Sequence, residues 1–380
     1  MKRLERFQTI FLIAGIGFFL LSFLGMGLAP WTTLKGLQLP EGMTARTPEE
    51  EQGREIFMQE ACWHCHTQFV RPVAGESLRY GPVSTAEEHA LEIPQLFGTR
   101  RVGPDLARES GKRSDDWQLA HLYNPRGTVP WSIMPAFPWM FEEKDGQLVP
   151  TDKARALVAY IQSIGRNTAD QMKAANDDYR RNFVAGHAPE KSDALLERGH
   201  YLYARECSGC HGKTGNADGI SAKLLVPAAA NLTKIQPSAE YIYTILNTGI
   251  PGSAMPHFRD YKPEDLWAIS FYVQTLSPET DIASTGSDMS SSLLERGKQQ
   301  FAALCATCHG PSGAGDGPVG AALVPSPPAF TKLRPTTDHI LKILETGVPG
   351  TAMVPFAQLP EEDRQALAYF VRQLSEGKVQ

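Results

Sequence analysis

The sequence predicts an all-α chain with one N-terminal transmembrane helix followed by three small helical domains. Three observations carry that reading. Residues 7–34 hold no charged side chain. The pentapeptide C-x-x-C-H occurs three times and uses all six cysteines. Residues 195–276 and 293–374 align without a gap at an offset of 98. Composition agrees with a folded protein, at 42% hydrophobic and 21% charged residues. The 33 Gly and 28 Pro favour short elements joined by many turns. With 37 Lys and Arg against 42 Asp and Glu, the net charge is −5, so no basic excess argues for nucleic-acid binding. Six cysteines in 380 residues are too sparse for a disulfide scaffold.

The first element is the membrane anchor, residues 1–35. Its uncharged run of 28 residues exceeds the ~20 that span a bilayer core as a helix. Lys2, Arg3 and Arg6 precede it against the single Glu5, so the N-terminus is expected in the cytoplasm and the remainder outside. An uncleaved anchor is expected, because the one small-residue cleavage candidate, Gly27 to Ala29, is followed by Pro30. The mean hydropathy of −0.27 makes the rest of the chain water-soluble.

Three domains follow: 36–165, 193–276 and 293–380, joined by linkers at 166–192 and 277–292. The last two are a tandem duplication. Leu195–Gly199 repeats as Leu293–Gly297, Asp218-Gly219 as Asp316-Gly317, and Gly249–Met255 as Gly347–Met353. Each domain opens and closes on a helical pattern. Gly53 and Phe57, Gly199 and Tyr203, and Gly297 and Phe301 share an i, i+4 spacing that sets both on one helix face. Closing runs hold Tyr160, Tyr272 and Phe370. Glycine is costly in a helix. Its recurrence predicts a close crossing of the first and last helix beside an aromatic contact.

C-x-x-C-H is the attachment motif of c-type haem: two thiols on one turn add to the vinyl groups, and the His ligates iron. The candidates are Cys62, Cys65 and His66; Cys207, Cys210 and His211; and Cys305, Cys308 and His309. Structural zinc would pair such motifs into four-ligand cages, but these lie 145 and 98 residues apart. Three covalently bound haem c groups are therefore expected. Each would also fill the core of a domain near the size at which a core is marginal.

Met255 and Met353 each lie 44 residues after their haem His and are the expected second ligands, with His257 as the rival in the middle domain. In the first domain Met134-Pro135 resembles Met255-Pro256, with Met140 as the alternative. His/Met ligation raises the haem potential and leaves no open iron position, which favours electron transfer over chemistry at these sites. No catalysis is expected from this chain alone.

The first domain has 68 residues between His66 and Met134, an insertion of about 24. Its stretches Cys62–Val73, Arg79-Tyr80-Gly81, Gly103–Arg108, Ser114–Trp117, His121–Arg126 and Met134–Trp139 resemble the mono-haem (O-type) subunit of cbb3-type cytochrome oxidases. The likeness covers roughly residues 50–141 and includes the anchor. It implies Cys62, Cys65, His66 and Met134 as haem-binding residues, with the Pro104 carbonyl orienting the His. Arg71, Arg79, Arg100 and Arg101 become candidates for propionate pairing or docking. The duplicated part resembles the di-haem P-type subunit of the same oxidases, or class I cytochrome c in general, through Leu323–Thr331. The whole then reads as three class I cytochrome c domains behind one anchor, a fusion of two subunits.

This resemblance implies a membrane-anchored tri-haem cytochrome c of the bacterial inner membrane, with periplasmic haem domains. It would pass electrons from a soluble cytochrome or other donor to a polytopic haem–copper catalytic subunit. Two alternatives stand beside it: a tri-haem acceptor subunit of a membrane-bound dehydrogenase, and the electron-donor subunit of a nitric oxide reductase.

Overall fold

The computed structural model describes residues 2–36, 39, 43–73, 75–92, 94–96, 98, 100–276 and 287–379. It is mostly helical, and among the described residues its strands form one hairpin. The described chain falls into two compact units, residues 1–110 with 160–170, and residues 111–159 with 171–380.

In the first unit, α1 (Lys2–Ser22) runs through a π-helical turn, Phe23–Leu28, into α2 (Ala29–Lys35). Pro30 accounts for the turn, since its ring clashes with a regular α-helical carbonyl and the wider turn relieves this. Residues 6–33 are long and apolar enough to cross a membrane, with mean hydropathy 2.3 and none of that window buried in the protein.

Helix α3 (Pro48–Gln59) starts on a capping box. The Thr47 hydroxyl accepts from the Glu50 amide, and the Glu50 carboxylate accepts from the Thr47 amide. Its Phe57 packs edge-on against Tyr160, with ring centroids 5.3 Å apart. Below this pair the Tyr160 hydroxyl donates to Glu92 and accepts from Gln68. Arg46 and Arg54 close around the same buried carboxylate. An unpaired buried charge would cost several kcal/mol, so a carboxylate here requires those cations. Helix α4 (Glu76–Tyr80) follows the first pentapeptide.

The second unit begins with α5 (Asp115–Tyr123) and α6 (Pro125–Thr128), the latter capped by Asn124, whose side chain accepts from the Gly127 amide. The antiparallel hairpin of β1 (Phe141–Lys144) and β2 (Gln147–Pro150) leads into α7 (Asp152–Ser163), whose end carries Tyr160 back to the first unit. Helix α8 (Arg166–Asn182) occupies most of the expected 166–192 linker.

The duplicated domains repeat the same helices, except that the short α-helix after the haem motif in the first copy is a 3-10 turn, Phe330–Lys332, in the second. The first has α9 (Asp193–Glu206), α10 (Ser208–His211), α11 (Leu232–Ile235), α12 (Ala239–Thr248) and α13 (Pro263–Thr275). The second has α14 (Ser287–Leu304), α15 (Ala306–His309), α16 (Thr337–Thr346) and α17 (Glu361–Ser375). Helix α14 starts inside the expected 277–292 linker, whose residues 277–286 lie outside the described ones.

The expected helix crossings are present in both copies. A Cβ on Gly199 would come 2.0 Å from the Ala268 carbonyl oxygen, and one on Gly297 would come 2.2 Å from that of Ala366. Only glycine permits that approach. The neighbouring rings, Tyr203 with Tyr272 and Phe301 with Phe370, sit 5.3 and 5.2 Å apart. Such pairs contribute ~0.5–1.5 kcal/mol beyond their buried area. Each crossing anchors its own apolar core, around Leu202, Leu246 and Trp267 in one copy and around Phe301, Leu344 and Phe370 in the other.

The two copies also meet reciprocally. The Ser238 amide donates to the Lys332 carbonyl at 3.1 Å, and the equivalent Thr336 amide donates to the equivalent Lys234 carbonyl at 2.9 Å. Gly252 sits against Val324 while its counterpart Gly350 sits against Val226. Contacts that exchange equivalent residues in this way define a local pseudo-two-fold axis.

Candidate functional site: three C-x-x-C-H turns

Each pentapeptide forms one helical turn. The amides of His66, His211 and His309 donate to the carbonyls of Cys62, Cys207 and Cys305 at 2.9, 3.0 and 2.9 Å. This turn brings the two cysteines of each pair to one side, with the His beyond them. All six thiols are free and half-buried. Burial pushes the Cys62 thiol up to about 12 and those of Cys210 and Cys305 up to about 11. These three are therefore protonated at neutral pH, and their own ionisation does not make them reactive.

Two of the three histidines share a second feature. The Nδ1 of His66 lies 3.0 Å from the Pro104 carbonyl, and that of His211 lies 2.9 Å from the Ala230 carbonyl. In the third domain the carbonyl of Pro328, the residue equivalent to Ala230, lies beside the His309 ring, whose buried Nδ1 makes no hydrogen bond of ordinary geometry. A carbonyl can only accept, so Nδ1 of His66 and of His211 carries the proton and Nε2 keeps its lone pair. Burial lowers the pKa of all three rings and holds them neutral. Gly103 allows the first arrangement, since a Cβ there would come 2.4 Å from the His66 Cε1.

The methionine loops show a threefold recurrence that the sequence reading missed. The amides of Met134, Met255 and Met353 donate to the hydroxyls of Ser132, Ser253 and Thr351 at 3.2, 3.2 and 3.1 Å. Three residues further on, Phe137, Phe258 and Phe356 donate their amides to the carbonyls of Leu122, Leu246 and Leu344. The signal was present as Pro-x-Ser/Thr-x-Met at Pro130, Pro251 and Pro349. It sets Met134, not the fully buried Met140, in register with Met255 and Met353. His66 and Met134 fall in different units, and each is described within its own.

Among the arginines, Arg71 and Arg101 turn inward to Glu76, and Arg101 also to Asp105. Asp105 accepts in addition from the Thr67 hydroxyl and the Phe69 and Ala107 amides. These two cations brace the loop after the first pentapeptide. The side chain of Arg79 lies outside the described residues.

The donor set fits haem c. Each turn offers paired thiols, a neutral imidazole with a free Nε2 and, within the second unit, a thioether on a loop of fixed hydrogen bonding. Among the described residues no three or more His, Cys, Asp or Glu side chains converge as a metal cage.

Comparison with known proteins decides the family. Residues 2–193 match the family described as cytochrome c oxidase, mono-haem subunit/FixO. The chain belongs to that family. Residues 194–273 and 292–371 each match cytochrome c oxidase, cbb3-type, subunit III, so the FixO-like part continues into two further cytochrome domains. The Rubrivivax gelatinosus cbb3-type cytochrome c oxidase subunit CcoP is 27% identical over 221 residues, or 56% of this chain and 67% of that protein. A Kuenenia stuttgartiensis reducing HAO-like protein complex gives a TM-score of 0.24 at 24% identity, over 50% of this chain and 99% of its own, too low to bear on fold or function. Membership places this FixO/CcoP-like fusion among membrane-anchored electron-transfer subunits that bind covalent haem c.

Proposed function

We propose that the chain is a tri-haem electron relay that feeds the catalytic subunit of a cbb3-type haem–copper oxidase. The observation that carries this is the recurrence in three places of the C-x-x-C-H turn and the Ser/Thr-x-Met loop, with the proton fixed on the imidazole Nδ1 in two of them. Cys62 and Cys65, Cys207 and Cys210, and Cys305 and Cys308 would form the thioethers. His66 with Met134, His211 with Met255, and His309 with Met353 would be the axial pairs.

Bound there, haem c supplies a one-electron couple. The chain's own part is positional. The Pro104 and Ala230 carbonyls fix the tautomer that presents Nε2 of His66 and of His211. The Ser132, Ser253 and Thr351 hydroxyls fix the loops that present the thioethers. The 6–33 helix holds the relay at the membrane, with the N-terminus in the cytoplasm and the haem domains on the periplasmic face. A soluble cytochrome would supply electrons to the outer modules.

Purification from membranes tests this. Three haems per chain, together with a polytopic haem–copper subunit in the same particle, are the expected result. A stable lone chain, or one that copurifies with a dehydrogenase, would overturn it.

A further inference from the structure

Two sequence differences between equivalent positions mark a surface that the repeat itself does not explain. In the second pentapeptide Gly209 stands where the third has Thr307. In the methionine loops Trp131 stands where the duplicated domains have Gly252 and Gly350. Both differences fall on one contact inside the second unit.

Gly209 meets Gly127 of α6 so closely that a Cβ on it would come 1.7 Å from the Gly127 carbonyl oxygen. A Cβ on Gly127 would in turn come 2.5 Å from Ile220 and 2.6 Å from the Ser221 hydroxyl. On the Cys207 side, the Trp131 indole donates to Glu206 at 3.3 Å, and the Arg205 guanidinium lies over its ring at 5.5 Å. Arg205 also pairs with Glu206 at 2.8 Å, which holds that carboxylate in place. Beyond the pentapeptide, Asp116 of α5 accepts from the Val226 amide at 2.9 Å. Residues 116–131 therefore cover the second C-x-x-C-H turn from three sides, with no side chain at either glycine to hold the backbones apart.

We infer that this contact is a fixed electron-transfer junction between the Met134-bearing module and the second haem module, with Trp131 as its positioning residue. The inference rests on the relay reading above. The loop that presents Met134 continues directly into Trp131, which reaches the residue preceding Cys207, so the junction joins a proposed ligand loop to a proposed thioether. The third pentapeptide cannot take this place as it stands, because Thr307 carries the Cβ that Gly127 excludes. With haem c held by Cys207, Cys210 and His211 and by the module that carries Met134, the step would move one electron and no proton, oxidising the ferrous second haem as it reduces the ferric first. No bond forms or breaks.

The test uses the full holo-chain in detergent, with Trp131→Gly, the residue of both repeats, and Gly209→Thr, the residue of the third pentapeptide. Haem content is counted by mass. Electron redistribution is followed by absorbance after flash reduction, and amide exchange is followed at Val226. Both variants should exchange the Val226 amide about tenfold faster, which is about 1.4 kcal/mol. Both should slow redistribution between first and second haems severalfold while leaving exchange between second and third unchanged. Unchanged protection and unchanged rates in both variants would overturn the junction. A wild-type chain in which no haem exchanges electrons with another would instead overturn the relay and the electron-transfer role, while the exchange measurement still reads the docking.

Discussion

His66 and Pro104 form a fixed pair: the imidazole Nδ1 sits 3.0 Å from the proline carbonyl, and Gly103 next door leaves the ring just enough room. The first prediction follows from that lack of space. Gly103→Ala would bring a methyl 2.4 Å from Cε1 and against both ring nitrogens. The ring must turn, and Nε2 turns with it. Purified Gly103→Ala protein should show one of its haems shifted to a high-spin spectrum with the other two unchanged. A spectrum identical to wild type would mean that the His66 ring is not the constrained ligand.

The methionine loops give a second prediction. Ser132 holds Met134 as Ser253 holds Met255 and as Thr351 holds Met353, whereas Met140 is fully buried away from that frame. Met134→Ala should remove about a third of the near-infrared Met–iron absorbance, as one of three thioether ligands is lost. Met140→Ala should leave that band intact and cost ~2–5 kcal/mol of stability through a core cavity. The reverse pattern would assign the ligand to Met140.

Asp105 carries the third. Its carboxylate is buried and accepts from Thr67, Phe69, Ala107 and Arg101. Asp105→Ala would leave the Phe69 and Ala107 amides unsatisfied and take from Arg101 one of its two carboxylate partners, at ~1–3 kcal/mol for each buried group left unpaired. Denaturant unfolding of the holo-chain, followed by tryptophan fluorescence, should show an early transition for the first unit. A loss below about 1 kcal/mol would make the network a surface pair.

Much of this architecture was legible in the residues. Gly199, Gly297 and their aromatic partners predicted the helix crossings, because only a glycine explains a glycine inside an amphipathic helix. The 98-residue offset predicted that the two last domains would match. The reciprocal contact of Ser238 with Lys332 and of Thr336 with Lys234 was not legible, because backbone hydrogen bonds leave no trace in side-chain identity. Trp131 was hidden for a different reason. Its meaning appears only once Ser132 shows that the loop equals those of Gly252 and Gly350, and the 68-residue spacing obscured that register. The bracing role of Asp105 and Glu76 was not legible, because nothing in the residues around them names the cations they meet. Only the fold brings Arg101 to both.

Glu76 yields a pH dependence with a definite sign. Hydrogen bonds from Arg71 first, and then from Arg101, lower its carboxyl from 4.5 to about 2. The ionised form is thus favoured in the folded chain, and the unfolded chain binds the proton more readily. By linkage, stability from this carboxylate is fully present above pH 4.5 and is lost as the pH falls towards about 2. Comparing wild type with Glu76→Gln isolates the effect, because protonation of the haem-site histidines acts on both alike. Wild type should be the more stable at neutral pH, and its advantage in melting temperature should shrink through that acid window. An advantage that stays constant from neutral pH to pH 2 would show that Glu76 serves as a packing group and that its charge contributes nothing.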